Sequence, residues 1–359
     1  MTELCAAYGI SRRVGYKWLA RYAAEGPAGL ADRSHAPLRH GGATAAELVE
    51  KLVDLRRARP HWGPRKLVAR LAALHPDLAW PSHSTAHEIL KKAGLVSGRP
   101  LRRRPPPRLG ELTVAERPNQ VWAVDHKGWV RLGDGGRCEP LTLADSYSRF
   151  LLALSAGSGT SAGLARPVME RAFRDYGLPE AIRSDNGPPF AMASSTGLSA
   201  LSVWWIKLGI RHERITPGRP QENGRLERFH RTLMETMSPP AATREAQRRR
   251  FEAFRAEYNH ERPHQALDQL TPARFYSPSP RAMPRRLPEP EYGDGLVVRK
   301  VRSRGDIKWR GELVHITSAL AGEGVGIEEI DHGWRVWFYR QPIGLIDQHG
   351  RKLLPIQPG

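Results

Sequence analysis

The chain has 359 residues, 40% of them hydrophobic, with 56 Lys and Arg against 37 Asp and Glu for a formal charge of +19. That length allows two to four compact units, and no apolar run reaches the roughly 18 residues of a membrane-spanning helix. Two distant cysteines without a CxxC partner argue against a structural zinc site, whereas the basic excess calls for a polyanionic partner such as nucleic acid.

The first segment, 1–37, reads as a helix-turn-helix unit. A short helix through Leu4 and Ala7 meets Gly9, Ile10 is the expected buried turn residue, and Ser11 is a good N-cap for the next helix. That second helix is expected to turn Val14, Trp18 and Leu19 inward. Ser11, Arg12, Arg13, Tyr16 and Lys17 then face a DNA major groove. Only Met1 precedes the motif, so the unit is expected to be short of a covering helix at its N-terminus. The opening MTELCAAYG has neither the charged nor the apolar region of a secretory signal, which points to a cytoplasmic, nucleoid-associated protein.

Residues 44–97 hold three helical stretches, 46–59, 61–74 and 82–95. The last is opened by Pro81-Ser82 and has Ala86, Ile89 and Leu90 as inward positions. This is a second helix-turn-helix candidate with Ser82, His83 and Thr85 toward the groove; a plain three-helix bundle is the alternative. Residues 98–111 form a basic, proline-rich linker whose prolines favour an extended strand. Its Arg102, Arg103 and Arg104 either track phosphates or stay solvated. Residues 1–110 carry more than half of the basic excess, so duplex DNA is expected to be gripped here.

From Asn119 the pattern becomes strand-like. QVWAVD (120–125), EPLTLAD (139–145) and RFLLALSAG (149–157) are apolar runs, followed by a helix at 161–176 and the short strand EAIRSD (180–185). A helix at 198–209, a strand at 210–216 and helices at 221–237 and 244–259 complete an α/β layer with a mixed sheet over 112–276. A second proline-rich linker covers 277–293. Alternating strands from 294 to 359 suggest a small β-barrel or sandwich, whose basic residues Arg299, Lys300, Arg302, Arg304, Lys308 and Arg310 suit DNA or another protomer.

Asp125 and Asp185 each end a strand, where open α/β sheets place their sites. Glu227 lies one turn into a helix that buries Leu226, Phe229 and Leu233, at the margin of that stripe. Three carboxylates on adjacent strands and a helix would give two Mg²⁺ ions the hard oxygen ligands they need. Taken singly, a strand-end Asp is usually a turn former, and Glu227 could pair with Arg231 four residues on.

Together, VWAVDHKGW, IRSDNGPPF and PGRPQENGRLERFHRTL resemble the three catalytic blocks of insertion-sequence DDE transposases in the retroviral-integrase superfamily. YNHERPHQALDQLTPARFY (258–276) resembles the stretch that closes that domain. The resemblance spans roughly 119–276. It implies a ribonuclease-H-like core, two Mg²⁺ or Mn²⁺ ions with DNA bound, DNA end cleavage and strand transfer. It further implies double-stranded DNA as the partner, both terminal repeats and target, with a homo-oligomer on DNA and no small-molecule cofactor. Asp125 and Asp185 match the two aspartates and Gly224-Arg225-Leu226-Glu227 matches the glutamate block, with Glu222 as competitor. Arg231 matches a basic position facing DNA, and Asp145 an acidic position that is not a primary metal ligand. The interval from Asp185 to Glu227 is longer than the commonest integrase form, SSTGLSAL being the extra loop. A non-catalytic DNA-binding relic of such an enzyme is the alternative function.

Overall fold

The computed structural model describes residues 1–32, 44–96, 112–192, 194–216 and 219–355. The expected phosphate-tracking residues Arg102, Arg103 and Arg104, like most of the linker that carries them, lie outside the described residues. The chain divides into two compact units, Met1–Ala46 and Glu47–Gly359.

In the first unit, α1 (Thr2–Ala7) and α2 (Arg12–Glu25) flank a turn at Gly9, whose φ of 63° is left-handed and suits glycine. Ser11 caps α2, its hydroxyl accepting from the Val14 N–H at 3.3 Å. The expected inward set is only partly realised. Ile10, Val14 and Leu19 are exposed, and the buried contact is Cys5 against Gly15. The reason is close approach: a Cβ at Gly15 would meet the Cys5 sulfur at 2.5 Å. The helices therefore touch at small residues, and the larger apolar side chains line an open groove of about 260 Å³ that includes Leu4, Tyr8, Ile10, Trp18 and Leu19.

The second unit begins with a three-helix layer, α3 (Ala46–Ala58), α4 (Pro64–Leu74) and α5 (His83–Lys92). Its core is Leu52, Trp62, Leu67, Leu71, Ala86 and Leu90. Arg56 donates to the carbonyls of Trp62 at 2.5 Å and Leu95 at 2.8 Å, tying both ends of the layer together. The layer rests on the end of a later helix through Arg59–Glu257, Arg59–Glu261 and Arg70–Glu261 ion pairs of 3.3–3.5 Å.

The central sheet contains β1 (Val121–His126), β2 (Val130–Arg131), β3 (Arg137–Asp145) and β4 (Leu151–Gly157). After α6 (Ala162–Tyr176) come β5 (Ala181–Ser184), α7 (Ala200–Lys207) and β6 (Arg211–Arg214). Strand order is β2-β3-β1-β5-β6, with β4 on β3. The β1–β3 and β3–β4 pairs are antiparallel and β1–β5 and β5–β6 parallel, so the sheet is mixed as the sequence pattern requires. One face packs Trp122, Val124, Leu143 and Ile182 against Phe173, Trp204 and Trp205 of α6 and α7. The other packs Leu151 and Leu154 against α8 (Gly224–Thr236) and α9 (Arg244–His260), through Phe229, Leu233, Phe251 and Phe254. SSTGLSAL runs from an Ala191–Leu198 bridge into α7, whose capping box is formed by Ser199 and Ser202.

The C-terminal region pairs β7 (Val297–Lys300), β10 (Gly324–Ile330), β11 (Gly333–Phe338), β12 (Gln341–Ile346) and β13 (Leu353–Leu354) in one antiparallel sheet. A hairpin of β8 (Asp306–Trp309) and β9 (Glu312–His315) completes it. The two sheets share one core, which also takes in Leu198, Val203 and Ile206. Helix α7 is thus apolar on both sides, and Lys207 pairs with Glu323 at 2.7 Å beside the contact. No helix among the described residues is long and apolar enough to cross a membrane.

Candidate active site

Asp125 stands near the end of β1, just past four buried residues. Asp185 follows the last residue of β5. Because β1 and β5 run parallel with Ala123 opposite Arg183, both aspartates sit two residues beyond a paired position. They emerge at the same edge on strands about 4.8 Å apart. In each strand the four residues before the carboxylate are buried, and the aspartate is the first that is not.

Each aspartate is held by its neighbours. The backbone at Asp185 is fixed by the Ser184 hydroxyl, which donates to its carbonyl at 2.8 Å and sits 2.9 Å from the His212 ring. The Asp185 carboxylate accepts from Gly187 N–H at 3.2 Å, and the Asn186 amide donates to the Ile215 carbonyl at 2.6 Å. Asp125 is opposite Thr142 across β3. His230 of α8 lies over that pair, its Nε2 3.1 Å from the Thr142 hydroxyl and its Nδ1 3.6 Å from Asp125 Oδ2. Burial, with Lys127 and His126 adding, pushes the His230 pKa down to about 4. The contact with Asp125 is therefore that of a neutral ring with a carboxyl, and an ion pair by distance only.

Burial pushes the Asp125 carboxyl up to about 7, the negative charge of Asp185 adds to this, and Glu227 adds a smaller push. A hydrogen bond from the His126 backbone and the charge of Lys127 oppose the shift. The three acids therefore share one electrostatic environment, which a cation at the sheet edge would relieve. Hard carboxylate oxygens are the donors that Mg²⁺ or Mn²⁺ prefers, so the donor set fits such ions. Among the described residues no three His, Cys, Asp or Glu side chains converge tightly enough to enclose a metal by themselves.

Glu227 is exposed in the first turn of α8, beside the buried stripe of Leu226, Phe229, His230 and Leu233. Arg225 fixes that turn by donating to the Ser146 carbonyl at 2.6 Å. Glu222, its competitor, is buried and accepts from the Thr216 N–H at 2.7 Å. Asp145 is likewise committed: its carboxylate takes hydrogen bonds from Asn119 N–H, Ser148 N–H and Ser148 hydroxyl at 2.6–2.8 Å. Arg231 is exposed one turn beyond Glu227.

The helical units present their expected groove residues to solvent. Arg12, Arg13, Tyr16 and Lys17 are exposed on α2. On α5, Ser82, His83 and Thr85 are exposed over buried Ala86 and Leu90, and the Ser82 hydroxyl caps the helix at Thr85 N–H. His230 and Thr142 were not legible as site residues. The signal for His230 was its position one turn after Glu227 inside an otherwise apolar stripe.

Comparison with known proteins agrees with this arrangement. Two family models described as integrase core domain match residues 115–220 and 208–272. A homeodomain-like domain matches 14–90, and an IS481 family transposase C-terminal domain matches 296–353. An uncharacterized 31.7 kDa protein of insertion element IS407 from Burkholderia multivorans is 29% identical over 231 residues, which is 64% of this chain and 80% of that protein. An uncharacterized 39.2 kDa protein of insertion element IS476 from Xanthomonas euvesicatoria is 29% identical over 244 residues, 67% of each chain. The Gag-Pol polyprotein of baboon endogenous virus is 30% identical over 187 residues, 52% of this chain and 10% of that one. In matching homeodomain-like, integrase core and transposase C-terminal domain models in that order, the chain is similar to the insertion-sequence DDE transposases of the retroviral-integrase superfamily.

Proposed function

We propose that this chain cleaves the ends of an insertion element and joins them to target DNA, with Asp125, Asp185 and Glu227 holding two Mg²⁺ or Mn²⁺ ions once DNA is bound. The observation that carries the reading is the position of Asp125 and Asp185 at the same edge of two parallel strands, where burial, with the charge of Asp185 adding to it, pushes the Asp125 pKa up to about 7. Bound there, the ions would supply activation of the attacking oxygen and charge stabilisation on the leaving one.

In the first step a water oxygen bonds to the phosphorus at the element's end. The bond from phosphorus to the 3′ oxygen breaks, and that oxygen leaves as a 3′-hydroxyl. In the second, the 3′-hydroxyl attacks a target phosphorus and a target 3′ oxygen leaves. The number of phosphodiester bonds is conserved in this second step, so positioning is the main demand on the protein. Thr142 and His230 orient Asp125, and the turn at Asn186-Gly187 orients Asp185. The exposed faces of α2 and α5 read the terminal repeats, and Arg231 meets a phosphate near the reacting one. The enzyme works as a homo-oligomer on DNA, in the cytoplasm at the nucleoid.

The test is a strand-transfer assay with labelled terminal-repeat DNA and a supercoiled target. Joined product is expected with Mg²⁺ or Mn²⁺ and none with chelator. Tight, specific binding with no cleavage under any divalent metal would instead identify a non-catalytic DNA-binding protein.

A further inference from the structure

The connection from β1 to β2 carries Trp129, which is 51% exposed and only four residues past Asp125. An indole in the open costs solvation free energy unless something covers it. One face here is covered by Arg137 of β3, whose guanidinium carbon lies 4.5 Å from the ring centroid. About half of the residue stays open to solvent.

This corner is held in place from several sides. Lys127 N–H donates to the Pro140 carbonyl at 2.9 Å. Beyond β2, the N–H groups of Gly133 and Asp134 donate to the Ala241 and Ala242 carbonyls at 3.0 and 2.8 Å. Gly133 lies so close to Ala242 that a Cβ would come within 2.9 Å of its Cα. Arg244 donates to the Arg137 carbonyl at 3.0 Å. The connection between α8 and α9 therefore braces the hairpin behind Trp129. Lys127 and Arg131 flank it in sequence, and Lys127 is close enough to Asp125 to lower its pKa.

We propose that Trp129, backed by Arg137, is a stacking platform for an unpaired nucleobase of the DNA strand whose phosphodiester lies at Asp125. A base inside a duplex has both faces occupied, so the ring selects one that has left the stack, while the nearby cations meet its phosphates. Four residues of extended chain span at most about 14 Å, or roughly four nucleotides along one strand. The platform would thus hold an end melted just beside the reacting bond. The location of the reacting bond rests on the function proposed above; the stacking itself does not.

The probe is a short duplex with a 3′ overhang carrying 2-aminopurine at an unpaired position, used without divalent metal. The wild type and Trp129→Phe are expected to quench its fluorescence and to bind it more tightly than the blunt duplex. Trp129→Ala is expected to lose the quenching and the preference for the overhang. Its affinity for the overhang should drop roughly 5- to 150-fold, the equivalent of one lost base–aromatic stack. Because the indole is half exposed, thermal unfolding of Trp129→Ala should match that of the wild type. Unchanged quenching in Trp129→Ala, or an equal loss of affinity on tailed and blunt DNA, would overturn the proposal. Asp185→Asn should quench like the wild type. If Asp185→Asn still cleaves, the assignment of the active site fails, and the quenching data still decide the platform independently.

Discussion

Replacing His230 by Ala tests whether Asp125 is held in position from behind. The imidazole is 4% exposed and lies 3.1 Å from the hydroxyl of Thr142, itself fully buried. Where that hydroxyl donates to Nε2, the ring proton resides on Nδ1, facing Asp125. Removing the ring leaves the Thr142 hydroxyl without its ring partner, at a cost of about 1–3 kcal/mol, with a cavity cost added. It also frees the Asp125 carboxyl to rotate. Groups that orient a metal ligand typically cost 10- to 100-fold in metal affinity or activity when removed. The apparent Mg²⁺ requirement for end cleavage should therefore rise about 10-fold or more in His230→Ala. His230→Asn, which keeps a polar group near Thr142, should recover part of that loss. The measurements are a metal titration of cleavage at saturating DNA, and metal binding followed calorimetrically in the absence of turnover. If His230→Ala lowers the rate while the metal requirement and the calorimetric affinity stay at wild-type values, His230 is a packing residue and the positioning argument is wrong.

Three other outcomes are expected. Asp125→Asn, Asp185→Asn and Glu227→Gln should each abolish metal-dependent cleavage with DNA affinity, measured by fluorescence anisotropy, within a few-fold of wild type. Activity retained in Glu227→Gln and lost in Glu222→Gln would move the third ligand to Glu222. Glu213→Gln should destabilise the second unit by about 3–5 kcal/mol in a denaturant titration, because it strands Arg183, a buried cation paired at 2.8 Å. Burial raises the Glu213 pKa, but hydrogen bonds from Thr113 and Arg183 outweigh it and hold the carboxyl below its ordinary value. Its stabilisation is thus full above the unfolded pKa and fades as pH falls through the lower folded value. A Glu213→Gln protein as stable as wild type at neutral pH would refute this. Affinity for DNA should fall linearly on a log–log plot against salt as phosphate contacts release counterions. A flat salt response would exclude the basic surface as the main grip.

The central sheet was legible in the sequence because its apolar runs end abruptly in acid. QVWAVD leaves no freedom over which residue meets water first; EAIRSD leaves more, since Arg183 and Ser184 are polar but buried, Arg183 through its 2.8 Å pair with Glu213. Helix α8 was legible for a related reason, since Leu226, Phe229 and Leu233 fix its buried face and leave Glu227 at the margin. The first unit was harder. Periodicity marks Val14 and Leu19 as inward, but a two-helix crossing as close as Cys5 on Gly15 leaves them at the rim of a groove. The pairing of His230 with Thr142 depends on the angle at which α8 crosses the sheet, which no local pattern encodes. The C-terminal docking has a signal in LSVWWI, which carries no charge and, apart from Ser202, only apolar residues: a helix apolar nearly all round is buried on all sides.

That last feature bears on how such proteins can be taken apart and recombined. The sequence suggests detachable modules strung on proline-rich connectors, yet Val203 and Ile206 belong to the same core as Val325, Val336 and Phe338 of the C-terminal sheet. The core's own α7 is in effect a wall owned by two rooms. A gene truncated after residue 276 would leave that wall facing water, and the fragment would be prone to self-association. Exchange of the C-terminal sheet for an unrelated one would succeed only if the newcomer brought a matching apolar face. Shuffling between related elements should therefore carry α7 and the C-terminal sheet together as one inherited block.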